Sequence, residues 1–283
     1  MSGNKTKGIL FVLSAAFFFS LMSLAVRMAG DVPTMQKVLF RNSVAALVAF
    51  SMLMKNRDNF VLPGKEDVLP LFLRCACGMF GIFCNFYAID HINIADANIL
   101  NKLSPFFAIV MSIFILKEKP NRKQVIAVLI AFTGALFVVK PSFSAEFFYA
   151  AVGAMGGFMA GTAYTFVRKL GMNGVKGPVI VFAFSTFSTI MSVPFVIANH
   201  AAMSTSSWLW LLTAGIAAAG GQFSITAAYT HAPAKEISVF DYTQVVIAAA
   251  LGFIFLGQIP DVYSIIGYIL IIGVAVWRWA VDR

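Results

Sequence analysis

Apolar residues fill this chain in runs of about twenty, the length an α-helix rising 1.5 Å per residue needs to cross roughly 30 Å of hydrocarbon. Ten such runs are readable, at residues 8 to 29, 35 to 54, 69 to 90, 95 to 116, 122 to 139, 147 to 168, 178 to 198, 207 to 230, 236 to 256 and 261 to 280. The connections are short, so no length remains for a soluble domain. The pattern predicts an all-α fold: a polytopic membrane protein with ten transmembrane helices.

The polar punctuation is written twice. His91 to Pro120 sets against His231 to Pro260 at a constant offset, with Gly81/Gly221, Ala88/Ala228, Ala108/Ala248 and Leu116/Leu256 in register. That is an internal repeat. In the first copy Asn98, Asn101, Pro105, Ala108 and Ser112 fall on one helix face, while Leu100, Leu103, Phe107 and Val110 point elsewhere. The second copy puts Ser238, Asp241, Val245, Ala248 and Gly252 on that face. Pro105 removes a backbone donor and frees the carbonyl of Asn101, beside Asn98 and Lys102, to meet a solute or a neighbouring helix.

The boundary near Val139, Lys140 and Pro141 divides the chain into five-helix repeats at 1–141 and 142–283. An odd number of spans per half makes the second repeat enter the membrane from the opposite side. Loop charge agrees: Lys117, Lys119, Arg122 and Lys123 follow span four, whereas the duplicated stretch Gly257 to Tyr263 carries no cation. Two inverted repeats are the architecture of alternating access.

Composition strengthens the membrane reading, at 60% hydrophobic and 12% charged residues with 29 Phe. The net charge of +9 sorts by loop instead of gathering on one face, which excludes nucleic-acid binding. Basic residues concentrate before span one and after spans two, four, six and eight, so both termini are expected in the cytoplasm. Gly8 to Ala29 is too long for a signal-peptide core and reads as a retained span. Cys75, Cys77 and Cys84 are poorly placed to share a metal and read as small apolar residues; no metal or cofactor site is expected.

Within the spans, Gly153, Gly157 and Gly161, with Gly156 alongside, predict close approach of another helix, as do Gly215, Ala219, Gly220 and Gly221. Arg41 is costly in lipid and is expected to snorkel, face a polar interior or pair with a carboxylate. His91 and His231 sit where helices enter water and read as solvated caps. The substrate-binding candidates are Asn85, Asn98, Asn101, Lys102, Tyr164, Gln222, Tyr229, Asp241 and Tyr242. For upright helices the rise per residue leaves Lys102 and Asp241 roughly 10 to 15 Å apart along the membrane normal. Held apart, they suit the carboxylate and amine of a zwitterion; solvation or pairing with another helix, such as that of Arg41, is the alternative. Asp241 also qualifies as a proton-coupling carboxylate.

Phe86, Tyr87 and Ala88 ending span three, Pro105, Glu118 thirteen residues on, Gln124, Gly134, Arg41, and Ile265, Ile266, Gly267 with Gly273 resemble the drug/metabolite transporter superfamily, in its ten-helix EamA-type branch. The resemblance covers essentially the whole chain. It departs at Val245 and Gln258, where the family often has proline and glutamate. It implies a secondary carrier, commonly an exporter of amino acids and related solutes, with a central cavity lined by spans one, three, four, six, eight and nine. No His-Glu-x-x-His, Gly-x-Ser-x-Gly or phosphate-cradling glycine motif is present, so an enzyme is not expected.

The expected function is secondary active transport of a small polar metabolite, an amino acid or related zwitterion, by efflux. A channel, or an uptake carrier for a nucleoside-type solute, is the alternative. Its expected partners are the solute, the lipid bilayer, and a proton or counter-substrate. The protein is expected as a monomer or homodimer in a bacterial cytoplasmic (inner) membrane.

Overall fold

In the computed structural model, residues 2–55, 63–117, 119, 121–140, 145–231 and 238–281 are described. The helices are α1 (Ser2–Met28), α2 (Thr34–Lys55), α3 (Val68–His91), α4 (Ile94–Asn101), α5 (Ser104–Ile115), α6 (Arg122–Val139), α7 (Ala145–Met172), α8 (Gly177–Ala198) and α9 (Thr205–His231). A 3₁₀ turn at Ser238–Tyr242 then leads into α10 (Thr243–Leu256), and α11 (Val262–Val281) follows. No strand occurs among the described residues. Among the described residues seven segments are long and apolar enough to cross a membrane, and three shorter apolar helices, Val125–Val139, Phe240–Leu256 and Val262–Trp277, accompany them. The expected all-α, polytopic fold is what the chain adopts.

Two of the spans are broken. In the first, α4 stops at Asn101, the chain turns tightly with Leu103 N bonded to Leu100 O at 3.2 Å, and α5 restarts at Ser104. Pro105 sits in the first turn of α5, where its missing N–H has no intrahelical partner to lose. The proline therefore starts a helix here instead of kinking one. The duplicated span breaks at the equivalent point, between the 3₁₀ turn and Thr243, although Val245 stands where the first copy has proline. Its turn is tied by Thr243 Oγ1, which donates to Phe240 O at 2.6 Å.

Helix pairing follows a regular scheme. α1 packs on α9 and α3 on α7; α2 packs on α9 and α3 on α8; α1 packs on α10, and α4 and α5 pack on α7. The remaining major contacts are α2 with α8, α6 with α11, and α4 with α10. Replacing each helix by its counterpart in the other half preserves the pairings of α1, α2, α3, α5 and α6, whereas the α4 contact with α10 has no counterpart of comparable extent.

Glycine permits the closest approaches. A Cβ at Gly161 would lie 2.6 Å from Ser104 O and 2.7 Å from Phe107 Cβ, and one at Gly157 would collide with Leu100 O. The α7 glycine face is thus seated on the break between α4 and α5. α6 and α11 cross on Gly134 and Gly267, each facing the other's carbonyl. Around these crossings Ile99, Leu103, Phe106, Ala131, Ile271 and Val274 form one core, and Val26, Val38, Phe86, Ala218 and Ala248 another. Leu47, Phe114, Leu129, Ile197, Ile216, Ile254 and Ile269 are exposed, as helices bathed in acyl chains require.

Candidate transport site

The two breaks face each other. Lys102, at the end of α4, places its Nζ 2.5 Å from Asp241 Oδ2 in the 3₁₀ turn, and Tyr242 donates from its hydroxyl to Lys102 O at 3.2 Å. The expected separation of roughly 10 to 15 Å is overturned. It assumed continuous, upright helices, whereas both spans are interrupted at this level and the long lysine side chain reaches across. The pair is largely buried, with the side chains 12% and 22% exposed. Asp241 Oδ1 is buried with no hydrogen-bond partner, so half of the carboxylate is unused.

Asn98 belongs to a different arrangement. Its Oδ1 accepts from Gln244 Nε2 at 2.6 Å and from Ser23 Oγ at 3.2 Å, and its Nδ2 donates to Ile94 O at 2.7 Å. Ser20 Oγ donates to Gln244 O at 2.9 Å. Asn85 Nδ2 reaches Ala97 O at 3.4 Å. Asn98 and Asn85 therefore tie α1, α3, α4 and α10 together through bonds that buried polar groups require. Asn101 is half-buried at the break, beside Lys102. Gln222 is half-buried on α9, and Tyr164 is exposed on α7. Tyr229 lies on α9, but its side chain is outside the described residues. The structure thus brings Lys102, Asp241, Tyr242 and Asn101 together and sets Asn85 and Asn98 into the packing beside them.

Arg41 does not snorkel, and among the described residues it meets no carboxylate. Its Nη1 donates to Asn42 Oδ1 at 2.7 Å, and its guanidinium lies 6.0 Å from the Phe184 ring centroid. Lys37, in the first turn of α2, is 1% exposed and paired with Asp90 at 2.6 Å.

At the face where α1 ends, a cleft of about 750 Å³ is lined by Arg27, His91, Asp96, Lys140, Glu146 and Asp261 among others. None of the nine candidate residues lines it. Arg27 donates to Ile89 O at 2.5 Å and Ile92 O at 3.4 Å, a cation on a helix C-terminus. Asp96, which sequence reasoning passed over, is buried and accepts from the Tyr268 hydroxyl at 2.7 Å. His91 is exposed and stacks on Tyr149 with ring centroids 4.2 Å apart. Lys140 pairs with Asp261 in the loop before α11. Partial burial opposes charge on Asp261, but hydrogen bonds from Lys140 and from Ser264 N outweigh it and hold the carboxyl below its ordinary range. Gln258 uses its Oε1 to accept from Ile94 N at 3.0 Å, capping α4. A neutral amide oxygen suffices for that bond, so the departure from glutamate keeps a cap; Glu118 is outside the described residues.

The chain matches the EamA-like transporter family over residues 6–140 and again over 148–277. It belongs to the EamA-like transporter family. As a member it is an integral, multi-pass membrane transporter and not an enzyme. Among its relatives, the pseudopaline exporter CntI of Pseudomonas aeruginosa is 32% identical over 268 residues, covering 94% of this chain and 93% of that protein. The human solute carrier family 35 member G1 is 24% identical over 96% of this chain and 80% of its own. A solved crystal structure shares the fold with a TM-score of 0.68 over 98% of this chain and 99% of its own, at 18% identity.

Proposed function

We propose that this EamA-like transporter is a secondary active exporter of a small metabolite carrying both an amine and a carboxylate, an amino acid or a close derivative. The observation that carries the reading is the Lys102–Asp241 pair, which joins the broken span of one half to that of the other and leaves Asp241 Oδ1 without a partner. A zwitterion supplies replacements for both members: its amine satisfies Asp241, and its carboxylate satisfies Lys102. Substrate then opens the contact between the breaks without leaving either charge unpaired in a low-dielectric interior, where an unpaired charge is expensive. The site is Lys102, Asp241, Tyr242 and Asn101, with Asn85 and Asn98 holding its walls and Tyr164, Gln222 and Tyr229 along the path.

Residues 1–141 and 142–283 act in this scheme as inverted repeats that exchange roles. The family match in each half and the helix pairings that exchange between the halves support that reading. Loop charge supports termini in the cytoplasm of a bacterial inner membrane. The name of the Pseudomonas relative supports export, with a proton or counter-substrate driving it. Thermal stabilisation of the purified protein across amino acids and related zwitterions tests the proposal, since a ligand selective for the folded state raises apparent stability by mass action. A hit lost in both Asp241→Asn and Lys102→Met supports the site; undiminished stabilisation in both variants contradicts it.

A further inference from the structure

Two arginines occupy the membrane interior with no carboxylate among the described residues paired to them. Arg41 and Arg74 each lie roughly 10 Å of helix from the start of an antiparallel neighbour, α2 and α3, so their side chains approach the middle of the bundle from opposite faces. Both lie over one ring: Arg74 is 4.2 Å and Arg41 6.0 Å from the Phe184 centroid, which leaves the two charges at most about 10 Å apart. Each guanidinium carries five N–H donors. Among the described residues the side-chain acceptor they find is Asn42 Oδ1, on Arg41. The Nε of each is buried and unbonded. Among the described residues no aspartate or glutamate acts on either guanidinium, and Tyr164 of α7 lies within electrostatic range of both.

Local sequence builds this arrangement deliberately. A Cβ at Gly78 would collide with Arg74 Nη1 and lie 2.7 Å from Phe184 Cε2, so glycine is what lets the guanidinium fold along α3 onto the ring. Phe184 is itself buried and presents its π-face to the cations, which compensates part of their lost hydration. That contact supplies no hydrogen-bond acceptor. Two convergent forks with unused donors match the planar, two-oxygen geometry of carboxylates.

We propose that Arg41 and Arg74 form an anion-binding subsite of the transport path that takes a substrate bearing two carboxylates, one on each guanidinium, with the Tyr164 hydroxyl beside them. This deepens the proposed exporter and rests on it: the substrate becomes an amino-acid derivative with more than one carboxylate. The headgroup of an anionic lipid shares the oxyanion chemistry and is the competing occupant.

The test uses the purified full-length protein in neutral detergent, with glutarate and citrate as probes, glutaramide as the uncharged control, alanine as a simple zwitterion, and phosphatidylglycerol as the lipid. Glutarate and citrate should raise the melting temperature saturably, and glutaramide should not. R41Q and R74Q should each weaken that response roughly tenfold or more. R41K and R74K, which keep the charge and lose the fork, should fall between, and they serve where a glutamine variant does not accumulate. Wild-type responses to glutarate in R41Q and R74Q, or in R41K and R74K where those stand in, overturn the subsite, as does stabilisation by phosphatidylglycerol alone. A response to alanine without one to glutarate overturns the subsite and leaves the exporter standing, whereas loss of both removes the exporter reading too.

Discussion

The glycine face of α7 gives the most direct handle on the broken span it supports. Gly161 approaches Ser104 O to within 2.6 Å of where a Cβ would sit, and an ordinary contact needs about 3.5 Å. A methyl group there moves α7 away from α5 by roughly 0.9 Å, a gap that forfeits a quarter to a half of each dispersion contact across the interface. Overpacking of this kind costs about 1–3 kcal/mol, while Gly→Ala in a helix interior returns about 1 kcal/mol of propensity. Gly161→Ala and Gly157→Ala should therefore lose up to about 2 kcal/mol, and Gly157→Leu should lose folded protein or hold one conformation. Gly171 lies on the same helix with nothing within 4 Å of a Cβ. Gly171→Ala should be neutral or stabilising by up to about 1 kcal/mol. Melting temperatures and size-exclusion profiles of the detergent-solubilised variants read these differences. Wild-type stability in Gly157→Leu together with loss in Gly171→Ala would refute the packing argument.

Three other consequences follow from the geometry. Single cysteines at Lys119 and Gln258 should label from opposite sides with an impermeant reagent, Gln258 from outside and Lys119 only from the cytoplasm; equal labelling from outside removes the inverted arrangement. Breaking a fully buried ion pair by removing one partner costs about 3–5 kcal/mol, and the partial exposure of Lys102 and Asp241 lowers the expectation to roughly 2–3 kcal/mol for each single variant. The double variant K102M/D241N should be less destabilised than the sum of the singles, by about 1–2 kcal/mol; additive losses in melting experiments contradict the pairing. Asp261 has a carboxyl held below its ordinary value near 3.8, so its stabilising contribution is present above that value and is lost as pH falls through the lower folded value. The melting temperatures of wild type and Asp261→Asn should differ at neutral pH and converge under acid, and a gap that widens on acidification contradicts the Lys140–Asp261 contact.

Much of the architecture was legible in the chain because a membrane leaves few solutions: runs of about twenty apolar residues must be helical. The polar stripe through Asn98, Asn101 and Pro105 marked the first broken span. What local pattern does not contain is the partner across a break. Lys102 and Asp241 were placed apart because rise per residue describes an unbroken helix. Val245 suggested an unkinked span, yet the chain breaks just before it through a 3₁₀ turn tied by Thr243 and Phe240, so the break does not depend on proline. Asn98 looked available to solute, but its acceptor is satisfied by Gln244, 146 positions away. Nothing in the local pattern joins Arg74 to Arg41; the Phe184 ring that both lie over does.

The central claim, that substrate replaces the Lys102–Asp241 contact as the carrier exchanges faces, is tested most directly by counterflow in proteoliposomes. Vesicles are loaded with an unlabelled amino-acid zwitterion that stabilises the purified protein, and the labelled form is supplied outside. The wild-type protein should give a saturable, transient overshoot of internal label, and both Asp241→Asn and Lys102→Met should abolish it. A flux that rises linearly with concentration and shows no overshoot, or overshoot of wild-type size in both variants, would contradict the account.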